Sequence, residues 1–216
     1  MKIALIGASG FVGKAILNEL LHRGHRVTAI ARNAGKIERT DNVTPVSADV
    51  FNVDQLSEAL AGHEAVISSF NAGWTNPNLY DDFLKGSQSI QEAVKRSRVK
   101  RLIVIGGAGS LYIAPQQQLV DTEGFPEEWK PGALAARDYL NILKEEDRLD
   151  WTFLSPAIEM HQGTSGNRKG TYRKALENPV VNEEGRSIIS AEDLAVAIAD
   201  EVEDPKHIRQ RFTVAY

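Results

Sequence analysis

Three glycines spaced three apart, in Gly7-Ala8-Ser9-Gly10-Phe11-Val12-Gly13, follow directly on the short apolar run Lys2–Ile6. Lacking a Cβ, glycine permits a tight turn at Gly7, close approach of the backbone to a ligand at Gly10, and close helix packing at Gly13. A helix opening at this point offers unpaired N–H groups and the positive end of its dipole, the two things a pyrophosphate requires. The chemistry implied is dinucleotide binding. The spacing is G-x-x-G-x-x-G, one residue different from the G-x-G-x-x-G of many dehydrogenases.

Arg32 stands nineteen residues after Gly13, where such a site often carries an acid for the adenosine ribose 2′-OH. A guanidinium is matched to a 2′-phosphate instead, and Asn33 and Lys36 follow it, so NADP(H) is expected over NAD(H). Asp49 and Val50 follow the third apolar run, where a carboxylate could accept from the adenine amino group. Ser69-Phe70-Asn71 closes the fourth run, beside the cofactor in this topology.

These residues need elements to carry them. Lys2–Ile6, Arg26–Ala31, Val43–Ser47, 65–69, Arg101–Ile105 and 151–154 read as strands, alternating with segments of helical period. Val12, Ile16 and Leu20, with Leu17 and Leu21 beside them, form an apolar face that Gly24 ends, which completes a βαβ unit. Leu79, Phe83, Ser87, Ile90 and Val94 make a later helical stripe. Ser190-Ala191-Glu192-Asp193 has a capping pattern ahead of Leu194, Ile198 and Val202. Near-continuous apolar strands argue for burial on both faces. The expected fold is α/β: a Rossmann-type doubly wound parallel β-sheet flanked by helices, one domain over 1–216. The irregular stretches 107–131 and 157–186 would be its substrate-side loops.

Composition narrows the alternatives. Of 216 residues 42% are hydrophobic and 25% charged, a globular balance, and a net charge of -4 gives no broad field for nucleic acid or an anionic membrane. The basic run Lys206-His207-Ile208-Arg209-Gln210-Arg211 reads as a solvated face. No cysteine is present, which removes thiolate nucleophiles and thiolate metal ligands. The five histidines are scattered, and His22 with His25 straddles a helix end, so no metal is expected. The adjacent pairs Glu127-Glu128 and Glu145-Glu146 diverge on a helix and make no carboxylate dyad. The first apolar stretch is too short for a signal peptide and no membrane-length apolar run occurs, so a cytoplasmic location is expected.

Further motifs carry a family likeness. They are Ala31-Arg32-Asn33, Phe70-Asn71-Ala72-Gly73-Trp74, Gly106-Gly107-Ala108-Gly109-Ser110-Leu111, Trp129-Lys130-Pro131-Gly132-Ala133, Trp151-Thr152-Phe153-Leu154-Ser155-Pro156-Ala157 and the tail Ile208-Arg209-Gln210-Arg211-Phe212-Thr213-Val214. With the glycine loop, they make the chain resemble the atypical short-chain dehydrogenase/reductases, in particular the NADH-flavin reductase group. It is similar in fold to biliverdin reductase B and to NmrA-like proteins. The resemblance implies that Gly106 and Gly107, with Ser155, Pro156 and Ala157, flank the nicotinamide.

The better known relatives carry Tyr-x-x-x-Lys on the helix before the last core strand. Counting back from Ser155-Pro156 puts Trp129 and Ala133 at those two places, and Tyr139 is followed by Lys144, five residues on and off one helical face. No catalytic residue is assigned. Trp74, Tyr112, Phe125 and Trp129 sit in loops expected near the nicotinamide, where Trp74 and Trp129 could stack on a planar acceptor and Ser110 could hold a substrate oxygen. The function expected is an NAD(P)H-dependent oxidoreductase passing hydride from NADPH to a flavin such as FMN, or to a similar planar acceptor. The alternative is an NmrA-like NADP(H)-binding redox sensor without turnover. A nucleotide-sugar epimerase is disfavoured by the missing Tyr-Lys pair and the lack of a substantial C-terminal substrate domain.

Overall fold

Strands that are apolar on both faces must lie between two layers of helices, and this chain folds accordingly. The computed structural model describes residues 1–216. Its first half runs β1 (Lys2–Ile6), α1 (Phe11–His22), β2 (Arg26–Ala31), β3 (Val43–Ser47), α2 (Val53–Leu60), β4 (Ala65–Ser68) and α3 (Leu79–Ser97). Then follow β5 (Arg101–Ile105), the short β6 (Tyr112–Ala114) and β7 (Gln117–Gln118), α4 (Lys130–Lys144) and β8 (Asp150–Ser155). The chain ends with β9 (Arg173–Ala175), α5 (Ala191–Glu203) and β10 (Gln210–Ala215).

The sheet order is β3-β2-β1-β4-β5-β8-β10-β9. All neighbours are parallel except β9, which lies antiparallel on β10 at the edge. The connection reverses direction on either side of β1, creating the switch point of a doubly wound Rossmann sheet. Alternation divides the core in two. Ile3, Leu5, Ile103, Leu154 and Phe212 pack with α1 and α5, whereas Ala4, Ile6, Val66, Val104 and Phe153 pack with α2, α3 and α4.

Local chemistry sets several boundaries. Gly24, at φ +77°, turns the chain after α1. Asn52 accepts from the Gln55 amide (3.1 Å) at the start of α2, and Ser190 accepts from the Asp193 amide (3.0 Å) at the start of α5, each cap contributing about 1 kcal/mol. Leu79, Phe83, Ser87, Ile90 and Val94 all face inward along α3. No helix is long and apolar enough to cross a membrane.

The six expected strands are present, with β4 ending one residue early and β8 longer by one residue at each end. The two C-terminal strands were not expected, and β10 corrects the reading of the basic run. β10 lies between β8 and β9 inside the sheet and is covered on both faces, so Arg211 is buried, as is His207 just before the strand. Only Lys206, Ile208, Arg209 and Gln210 face solvent. His207 Nδ1 lies 2.7 Å from Glu201, and its ring stacks on Phe212 at 4.2 Å. Glu201 also accepts from the buried Arg101 at 2.9 Å.

The stretches expected to be irregular carry structure of their own. The β6–β7 hairpin lies within 107–131 and β9 within 157–186. The second stretch is tied down by Arg168, 2.8 Å from Glu19 on α1, and by the Lys169 and Gly170 amides on Asp193 of α5.

Candidate functional site

Parallel register brings the carboxyl ends of β1, β2, β3, β4, β5 and β8 to one edge of the sheet. The residues expected to hold a cofactor follow those strands and therefore share that edge. At its centre the glycine loop is wound tightly. Gly7 sits at φ +80°, and its amide donates to the Ile30 carbonyl at 2.9 Å. A Cβ on Gly7 would lie 2.7 Å from the Ser69 carbonyl oxygen, and one on Gly13 would lie 2.0 Å from the Gly7 carbonyl oxygen. Ser69 Oγ donates to the Ile6 carbonyl at 2.9 Å, which clamps the turn after β4 to the loop after β1.

Gly10 differs from its neighbours. It precedes α1 in extended backbone, and an added Cβ would meet only the Gly7 carbonyl oxygen at 3.3 Å, so the space beyond is open. No side chain caps this helix, and the amides of Ser9, Phe11 and Val12 have no acceptor within the chain. Free donors beside a glycine-lined opening at a helix N-terminus fit a pyrophosphate.

The flanks of the edge are unequal. Arg32 is exposed and has no ion-pair partner, so its guanidinium is free for a phosphate. Asn33 accepts from the Gly35 amide (3.1 Å) and Asp49 from the Phe51 amide (3.0 Å), both shaping their own turns. Val50 is buried among the core residues beneath α2 and α3. The Phe70 ring is a packing element: it stacks on Phe83 at 5.9 Å and closes over Gly86. Asn71 accepts from Gly73 at 2.7 Å. Gly106 is required for packing, since a Cβ there would stand 1.9 Å from the Phe153 ring; Gly107 follows it without such crowding. Ser155, Pro156 and Ala157 are buried at the end of β8, as is Ala8 beside the loop.

On the side toward α4, the fold brings two indoles to the amino end of one helix. Trp74 is 61% exposed, and its ring lies over Gly132, where a Cβ would come within 2.8 Å of it; Trp129, 51% exposed, immediately precedes α4. Tyr112, expected in a loop, instead opens the short strand β6, and Phe125 lies in the loop before α4; both are half-buried. Ser110 stands apart from them. It is buried, and its hydroxyl accepts from Arg211 at 3.2 Å. Arg211 was missed as a functional candidate. Its one sequence signal is an arginine inside the short β-rich run Gln-Arg-Phe-Thr-Val-Ala, all buried after its first residue.

Tyr139 points away from this edge, into the core between α4 and the sheet, where burial pushes its phenol up and its hydroxyl has no partner. Ala133 is buried as well, against Gly109. Tyr139→Phe is therefore expected to leave the melting temperature unchanged or raise it by a few degrees, because it deletes an unpaired buried hydroxyl costing about 1 to 3 kcal/mol. Thermal melts check this, and a clear drop would reveal a hydrogen bond the fold does not contain.

Comparison with known proteins places this geometry among relatives. A family model described as NAD(P)H-binding matches residues 7–205. The uncharacterised protein YwnB of Bacillus subtilis is 40% identical over 216 residues, covering 99% of this chain and 98% of its own length. The crystal structure of a candidate epimerase from Bacteroides thetaiotaomicron is 44% identical, with a TM-score of 0.91 over 100% of this chain and 96% of that one. A candidate NADH-flavin reductase from Streptococcus pneumoniae is 37% identical, with a TM-score of 0.85 over 100% and 99%.

Proposed function

We propose, from the premise that this chain belongs to the NAD(P)H-binding family of oxidoreductases, that it reduces a flavin or similar planar acceptor with NADPH. The observation carrying this reading is the pair of exposed indoles, Trp74 and Trp129, at the amino end of α4 beside the open sheet edge. Flat apolar faces at the mouth of a dinucleotide cleft suit a flat ring. The likeness to the Streptococcus pneumoniae protein supports the same acceptor class.

In this reading the free amides of Ser9, Phe11 and Val12 hold the pyrophosphate, and Arg32 meets the 2′-phosphate. Bound there, NADPH would supply a hydride, two electrons and one proton, to the acceptor ring and would be released oxidised. Trp74 and Trp129 would align the acceptor ring with the hydride donor. The charge left on the acceptor spreads over N1 and C2=O, where water delivers the balancing proton, so the chain need not supply an acid.

Steady-state NADPH oxidation tests the proposal. FMN or riboflavin should stimulate it and simple aliphatic ketones should not, since an alkoxide would need a nearby proton donor. Trp74→Ala should raise the flavin KM about 2- to 10-fold, the worth of one aromatic stack. Tight NADPH binding with no flavin-stimulated oxidation would overturn the reductase reading in favour of an NADP(H)-binding redox sensor.

Cofactor preference is a separate expectation. NADPH should bind about 10- to 100-fold tighter than NADH, the effect of one charge-assisted contact of about 1.5 to 3 kcal/mol, and Arg32→Ala should erase most of that difference. Calorimetry with both cofactors decides it, and equal affinities in the parent protein would refute the assignment of Arg32.

A further inference from the structure

On the α4 side of the sheet the helical layer stops short of β10, and the loops around β6 and Glu177 cover the strand instead. The Tyr112 amide donates to the Glu177 carbonyl at 2.9 Å, and Asn178 Nδ2 donates to the Tyr112 carbonyl at 2.8 Å. Beneath this cover lies a polar cluster where a doubly wound sheet would ordinarily bury apolar side chains. Arg211, 2% exposed, points Nη1 at Ser110 Oγ (3.2 Å) and Ser155 Oγ (3.5 Å), and Nη2 at the carboxylate of Glu177.

Two donors in the cluster are unused. Arg211 Nε and the Thr213 hydroxyl are both buried and have no partner. A buried guanidinium requires a compensating anion, and the only carboxylate here comes from Glu177, whose side chain is 46% exposed, two residues past the edge strand β9. The cluster also adjoins the proposed reaction centre. Ser155 ends β8, and Ser110 follows the Gly106-Gly107 turn after β5, the two segments expected to flank the nicotinamide.

We infer that Arg211, with Ser110, Ser155 and Thr213, forms a subsite for a carboxylate or phosphate group carried by the acceptor, and that Glu177 fills it until that group displaces it. The inference deepens the reductase reading and rests on it for the identity of the acceptor. Exchange of one oxyanion for another keeps the buried guanidinium compensated throughout, and the incoming group gains the two donors Glu177 leaves idle. The acceptor would then be held at two points, its ring at the indoles and its anionic tail on Arg211.

Flavin fluorescence measures the affinity of FMN and of riboflavin, which differ by a phosphate, for protein saturated with NADP⁺ so that the glycine-loop phosphate site is filled. FMN should bind about 10-fold or more tighter. The FMN-to-riboflavin affinity ratio should rise severalfold in Glu177→Gln, where the competing carboxylate is gone, and fall to about one in Arg211→Met. A purely structural Glu177 would lower stability without changing the ratio. Calorimetric titration of NADP⁺-saturated Glu177→Gln with inorganic phosphate and with acetate distinguishes a tetrahedral from a planar anion and requires no flavin. If Arg211→Met does not fold, the Glu177→Gln measurements decide alone. A ratio of one in both the parent and Glu177→Gln, with no heat from either anion, overturns the subsite even if flavins are reduced. Anion binding without flavin binding would leave the subsite standing and remove the flavin.

Discussion

Gly10→Val is expected to weaken NADPH binding by at least about 100-fold while the protein stays folded. Gly10 occupies extended backbone at φ -75° and ψ 173°, which any residue adopts, and the first added carbon meets only one carbonyl oxygen, at 3.3 Å. The fold has no reason to fail. The branched carbons would nevertheless fill the opening in front of the free amides of Ser9, Phe11 and Val12. Losing two hydrogen bonds to a charged phosphate, at about 1.5 to 3 kcal/mol each, already exceeds 100-fold in affinity. Gly13→Ala supplies the contrast: its methyl would stand 2.0 Å from the Gly7 carbonyl oxygen, rigid backbone that cannot step aside, so this variant should lose the fold itself. Calorimetry with NADPH, alongside circular dichroism melts, separates the two outcomes. A valine variant that binds normally would move the pyrophosphate site elsewhere.

Glu201→Ala should be the most destabilising substitution at a polar residue remote from the cofactor edge. Glu201 is buried on α5 and accepts from Arg101 Nη2 (2.9 Å) and from the amides of Lys206 (3.1 Å) and His207 (2.9 Å). Thr152 joins the same network through the His207 carbonyl at 2.7 Å. Removing the carboxylate strands a buried guanidinium and two amides, at a cost of about 3 to 5 kcal/mol. For a domain of this size that corresponds to a fall of roughly 6 to 20 °C in melting temperature. Glu203→Ala on the same helix removes only partly exposed pairs with Arg23 and His25 and should cost less than about 1 kcal/mol. Arg101 opens β5, at the end of that strand opposite the cofactor edge, so NADPH affinity at low temperature should not change in Glu201→Ala. Similar melting shifts for both variants would show that the buried network carries no special weight.

Much of the molecule is written in short-range pattern. The spacing of Gly7, Gly10 and Gly13, the apolar runs that became β1 to β5, and the cap at Ser190 each act within a few residues, so the sequence by itself determined the Rossmann class and the place of the phosphate loop. What depended on contacts between distant segments was not legible. Arg211 and His207 read as solvated charges until the sheet enclosed β10 on both faces and the His207 ring packed on Phe212 beside Glu201. Tyr139 became a core residue because the side of α4 that bears it packs on the sheet, and Trp74 reached Gly132 only through the packing of the post-β4 loop against α4. Such outcomes rest on register and on which helix covers which strand. The tertiary structure alone decided them, because burial is a property of the assembled layers and a residue's type does not record which face it will occupy.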